Sequence, residues 1–101
     1  MIEKNKPIRD AAWLEKIRHM DCIVCQKTPC DPAHIRVGTN GGMGMKPGDD
    51  YVIPLCHECH SEQHRIGEKT FWTRVLSNNG SFTMFLMRTF ARQLYLNRHG
   101  L

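Results

Sequence analysis

Two pairs of cysteines at identical spacing, Cys22-x2-Cys25 and Cys56-x2-Cys59, constrain this chain more than any other feature. Thiolates two residues apart, joined by a second such pair, make the four-sulfur tetrahedral set that Zn2+ favours. Any fold the chain adopts must therefore bring the two segments together. The second pair runs directly into His60-x3-His64. On a helix these histidines sit one turn apart with their imidazoles on one face, a pair able to hold a second ion. Between the cysteine pairs lies Ala33-His34-Ile35, a histidine in an apolar, strand-like setting.

Size gives the metal its weight. A chain of 101 residues is one domain, and a core this small leaves only a slim margin of net stability. A hydrophobic content of 41 % with 24 % charged residues is that of a folded protein rather than a disordered one. No stretch approaches the ~18 apolar residues of a membrane span, and Met1 to Pro7 has no signal-peptide hydrophobic region, so the expected location is cytoplasmic. Five cysteines, an odd number, argue against a secreted disulfide framework. Cys30 is left over, either as a buried thiol or as a substitute ligand. Two C-x-x-C pairs without a flanking βαβ pattern also speak against a thioredoxin-like redox protein.

Apolar spacing predicts an N-terminal helix from about Ile8 to Met20, then a cysteine knuckle, a strand over Ala33 to Val37 and a returning strand over Tyr51 to Leu55. A helix from Cys59 to about Ile66 follows, ended by Gly67. Thr70 to Leu76 reads as a short helix, Asn78-Asn-Gly80 as a turn, and Ser81 as the cap of a last helix reaching about Arg98. The segment Gly38 to Gly48 is too glycine-rich for helix or strand, and it fits neither a Walker A nor a dinucleotide-binding pattern. It is either a loop over the site, touching substrate through Lys46, or a plain connector. The H-E-x-x-H zincin pattern that His57-Glu58 opens fails at Ser61. His57 is expected to be exposed and uninvolved, and Asp31 to be a ligand or, before Pro32, a turn-former.

The net charge of +4 makes a polyanionic partner plausible, and from Lys69 onward the chain contains no Asp or Glu. On the last helix Arg88, Arg92 and His99 project into one stripe, with Phe82, Leu86, Phe90 and Leu94 expected on the other side. The stripe is either a track for a phosphate backbone or an ordinary solvated face.

Taken together, Cys22-x2-Cys25, Ala33-His34-Ile35 and Ile53-Pro-Leu-Cys56-x2-Cys59-His60-x3-His64 resemble the HNH (His-Me finger, ββα-metal) nucleases that carry an accessory four-cysteine zinc. Within that group the chain is most similar to small prophage HNH-type proteins and to the recombination-enhancing, RecA-dependent phage nucleases. Asp31-Pro-Ala-His34, Gly41-Gly-Met-Gly44 and Phe71-Trp72 carry that closer likeness, which covers about residues 22 to 72. The resemblance implies an α+β fold: a small zinc-stabilised ββα-metal core over 22–66 with flanking N- and C-terminal helices, the latter over 67–101. It implies that His34 is the general base, that His60 and His64 hold one catalytic Mg2+ or Mn2+, or alternatively Zn2+, and that the four cysteines hold a structural Zn2+. Asp50, near the place of the family's middle Asn, is expected to orient the base or add a ligand. Ala33 stands where relatives often carry a further ligand.

The resulting expectation is a phage- or prophage-type DNA endonuclease or nickase acting in recombination, with DNA and a recombinase filament as partners. The alternative is a non-catalytic, zinc-stabilised DNA-binding module or recombination adaptor. A variant of the metal assignment has His60 replacing one cysteine as zinc ligand. Discrimination rests on His34, which a binder does not need.

Overall fold

The computed structural model describes residues 7–37, 47–77 and 80–98, and it is a small α+β protein of four helices and a two-stranded antiparallel sheet. In chain order the elements are α1 (Ala11–Arg18), β1 (Cys30–His34), a 3-10 turn (Asp49–Tyr51), β2 (Val52–Cys56), α2 (His57–Ile66), α3 (Glu68–Leu76) and α4 (Gly80–Leu96). Lys46, nearly all of the glycine-rich segment, the Asn78-Asn79 turn and His99 lie outside the described residues, and nothing is described of the Ser81 side chain.

α1 starts later than its apolar spacing suggests because Asp10 caps it: Oδ1 accepts the Trp13 N–H at 3.0 Å. Trp13 and Ile17 point inward from α1 and pack with Val52 and Tyr95, the two rings meeting edge to face at 5.8 Å.

β1 pairs with β2 from Cys30↔Cys56 to His34↔Val52. The expected strand over Ala33 to Val37 therefore lies further back in the chain, and the reason is visible in its backbone hydrogen bonds. Ile35 N–H still reaches the Tyr51 carbonyl at 2.8 Å, but the next two N–H groups, of Arg36 and Val37, donate to the Glu68 carboxylate at 2.9 and 2.8 Å. A side chain from the start of α3 thus ends the ladder. Tyr51 likewise belongs to the 3-10 turn rather than to β2. Every residue of β2 is buried, as its unbroken apolar run implies.

α2 follows β2 without a linker and ends at Gly67, whose φ of +97° is open to glycine at little cost and lets α3 set off in a new direction. Between α2 and α3 the buried Trp72 indole donates to Gln63 Oε1 at 2.9 Å.

α4 departs from expectation. Its buried side is Thr83, Met84, Met87, Ala91 and Tyr95, whereas Phe82, Phe85 and Phe90 are exposed. Small Ala91 and Thr83 allow close approach to the rest of the fold, and the bulkier phenylalanines are turned outward. Arg88 and Arg92 are half-buried and flank the buried stripe.

Replacing Gln63 by Leu leaves the Trp72 N–H buried without its acceptor. The expected cost is about 1–3 kcal/mol, or a fall in Tm of roughly 4–8 °C for each kcal/mol, with zinc content unchanged. Thermal denaturation followed by circular dichroism checks this.

Candidate functional site

The register Cys30↔Cys56 and the first turn of α2 carry Cys56 and Cys59 to the knuckle formed by Cys22 and Cys25. The four sulfurs lie within 4.8 Å of one another, with Cys25 to Cys56 at 3.5 Å and Cys59 to Cys25 at 4.0 Å. A tetrahedron with sulfurs ~2.3 Å from its centre has edges of about 3.8 Å, so the donor set fits a zinc ion. Electrostatics point the same way. Burial pushes the Cys22 thiol up, but backbone N–H groups of Cys56, Cys25 and Val24 aimed at its sulfur outweigh this and bring it down to about 6. Burial and the neighbouring sulfurs push Cys59 strongly upward. Four thiols this close ionise together only with a cation among them.

Cys30 stands apart from this set. It is buried, its thiol is raised to about 11 chiefly by burial, and its Sγ donates to the Lys27 carbonyl at 3.4 Å. It packs as the fifth, non-ligating thiol.

At the far end of β1, His34 Nε2 lies 2.9 Å from Asp49 Oδ1. Asp49 is 2 % exposed, and its Oδ2 accepts the Asp10 backbone N–H at 2.8 Å while Arg9 approaches Oδ1 at 3.7 Å. Burial pushes the Asp49 carboxyl up, yet the Asp10 amide, the His34 bond and the Arg9 charge outweigh it and hold it below its ordinary 3.8. The residue that meets His34 is thus Asp49, not the expected Asp50. Asp50 is buried one position on, its Oδ2 paired with Arg92 and its Oδ1 without a hydrogen-bond partner among the described residues. The same pairing anchors Arg92, part of the stripe expected to be a phosphate track or a solvated face, to the body of the protein. Arg88 donates to the Val37 carbonyl at 3.2 Å.

His60 and His64 share one face of α2, with their Nε2 atoms 3.2 Å apart. Two nitrogens each ~2.1 Å from a common ion at this separation subtend about 100°, so the pair fits a shared divalent ion. His60 Nδ1 lies 3.0 Å from Asp31 Oδ2. Asp31 is therefore a strand residue that orients a histidine rather than a turn-former, and the His60 hydrogen bond is the main cause holding its carboxyl below the ordinary value. A carboxylate on Nδ1 fixes the tautomer that leaves Nε2 as a lone-pair donor. His57 is exposed and lies 3.4 Å from the same oxygen.

The two ends of the site meet in one cleft, lined by Pro32, His34, Arg36, His60 and His64. Sequence reasoning missed Arg36, two residues beyond His34, although its position after a strand-borne histidine was a signal. Ala33 is fully buried and offers nothing to the cleft.

Residues 1–96 match the family described as "Protein of unknown function (DUF968)". The chain belongs to this family. A DUF968-type chain of this length is also similar to part of "Uncharacterized protein YdfU" of Escherichia coli (strain K12), 38 % identical over 48 residues, which is 48 % of this chain and 14 % of that protein. The chain thus spans a small fraction of the curated relative it matches. No solved structure matches it. Among the described residues no helix is long and apolar enough to cross a membrane.

Two measurements follow from this geometry. Metal analysis of the purified protein should return one zinc per chain, retained in Cys30→Ser and lost in Cys59→Ser, which should also melt at lower temperature. Asp49→Asn should lower Tm at neutral pH. Because the folded-state carboxyl is held below its unfolded value, its contribution is full above the ordinary carboxylate range and disappears as pH falls through the folded value. The Tm gap between native protein and variant should accordingly narrow on acidification.

Proposed function

We propose that this chain is a metal-dependent DNA endonuclease or nickase of the HNH type, serving phage or prophage DNA recombination or processing, with His34 as general base. The observation that carries the reading is the single cleft shared by His34, His60 and His64, in which each half has its own orienting carboxylate. The order β1, β2, α2, with the base at the end of the first strand and the histidine pair on the helix, supports it further.

Phosphodiester hydrolysis requires an acceptor for the proton of the attacking water and positive charge at the phosphate. An ionised Asp49 only accepts, so His34 carries its proton on Nε2 in the neutral ring. When His34 takes the water's proton, Asp49 faces the resulting imidazolium and stabilises it. His60 and His64 would hold a divalent ion through Nε2, either Mg2+ or Mn2+ or alternatively Zn2+. Bound there, the ion supplies Lewis-acid stabilisation of the scissile phosphate and the leaving 3′ oxygen. Arg36 on the cleft wall supplies a guanidinium for a neighbouring phosphate. The four cysteines would hold a separate structural zinc that keeps α2 fixed relative to β1.

A second reading is a zinc-stabilised DNA-binding module without catalysis. It is favoured by Ala33, whose burial leaves the histidine pair without a third protein ligand from the strand.

Nicking of supercoiled plasmid with Mg2+ or Mn2+ separates the two. Native protein should cut, and His34→Ala should lose about 10²-fold or more in rate while keeping its zinc. DNA binding without cutting by either protein, alone and with a recombinase filament, would falsify the nuclease reading in favour of the binding module.

A further inference from the structure

Phe85, one of the outward-turned phenylalanines of α4, comes to the same groove as two of the helix's arginines, lined by Tyr51 of the 3-10 turn and by Phe85, Arg88, Thr89, Arg92 and Gln93 of α4. Phe85 is 52 % exposed and Phe82 is 51 % exposed, their rings 6.4 Å apart and 20° from parallel. The inward side of α4 is already filled by Met84, Met87, Ala91 and Tyr95, so these rings add nothing to the core. They form a flat aromatic surface in water, beside guanidinium groups.

The charged side chains that line the groove are Arg88 and Arg92. From Lys69 onward the sequence has no Asp or Glu. Asp50, 5 % exposed, is matched by Arg92, whose own side chain is 42 % exposed and held in a fixed orientation. Arg88 reaches the Val37 carbonyl, and Val37 lines a pocket next to the cleft together with His34, His64 and Glu68. Arg88 thereby ties the groove to a residue that neighbours both histidines.

We infer that this groove binds single-stranded DNA, stacking bases on Phe85 and Tyr51 while Arg88 and Arg92 hold the phosphates, and so leads an unpaired strand to His34. Exposed rings interleaved with cations suit a single strand, whose bases are free to stack on protein. In a duplex the base faces are already covered by their neighbours, and half-exposed phenyl rings gain no access to them. The inference rests on the DNA reading of the preceding subsection and deepens it by naming the form of the substrate.

Fluorescence anisotropy with a short labelled oligothymidylate and a duplex of equal length, on the full chain without added divalent ion, tests it independently of cutting. Native protein should bind the single strand about tenfold more tightly than the duplex. Phe85→Ala should lose about tenfold of the single-strand affinity, Phe85→Tyr should retain it, and duplex binding should change little. Arg88→Ala should reduce the salt dependence of single-strand binding by about 0.7 in log-log slope. Circular dichroism and zinc content of each variant establish that it is folded.

Unchanged single-strand affinity in folded Phe85→Ala overturns the inference, as does native protein that binds duplex at least as tightly or binds neither DNA. If plasmid cutting depends on His34 while Phe85→Ala binds normally, the groove falls and the nuclease stands. If nothing cuts but single-strand affinity depends on Phe85, the nuclease falls and the groove stands.

Discussion

Four thiols within 4.8 Å of each other are the constraint on which the rest of this structure hangs. Brought together without a cation they repel one another as soon as more than one ionises, and the strongly raised Cys59 beside a lowered Cys22 expresses that conflict. A divalent ion turns the repulsion into attraction and fastens the knuckle to the junction of β2 and α2. That junction has no linker, so the direction of α2 is set where the cysteines are. His60 directly follows Cys59 and inherits its position from this clamp. In a chain with so little core, the orientation of the histidine pair is a by-product of the four-cysteine cluster.

The cleft uses one device twice, with opposite results. Asp49 meets the Nε2 of His34, while Asp31 meets the Nδ1 of His60. Each carboxylate settles which nitrogen carries the proton, and so which one offers a lone pair. Two histidines of identical intrinsic chemistry thereby hold their protons on opposite ring nitrogens, according to the side on which an aspartate sits. The two aspartates are set differently. Asp49 is buried under an amide and an arginine, whereas Asp31 is half-exposed on the strand and depends mainly on His60 itself.

Much of this was legible in the sequence, because spacing is a local signal. The four-cysteine set, the facing histidines on α2, the strand carrying His34 and the stop at Gly67 all follow from periodicity and residue type. What escaped depended on contacts between distant segments. Glu68 ends β1 by taking two of its backbone amides, which no reading of residues 30–37 contains. Asp49 and Asp50 are chemically equivalent in a sequence, and only the 3-10 turn decides that the first meets His34 and the second Arg92. On α4 the buried side was not legible. Apolar residues occur nearly all round that helix, so the period alone does not say which of them are buried, and small Thr83 and Ala91 marked the packed side better than the phenylalanines did.

Asp10 has a role out of proportion to its place at the start of a short helix. It caps α1 with one oxygen, lends its backbone amide to Asp49, and meets Tyr95 and Arg98 from the end of α4 through the other oxygen. The recognisable motif between residues 22 and 66 is therefore not a transplantable cassette. Grafted alone onto another scaffold, it would carry its cysteines and histidines but leave behind the flanking helices that keep Asp49 solvated by protein. Substitutions in those flanks therefore act on Asp49, and through it on His34, from outside the motif.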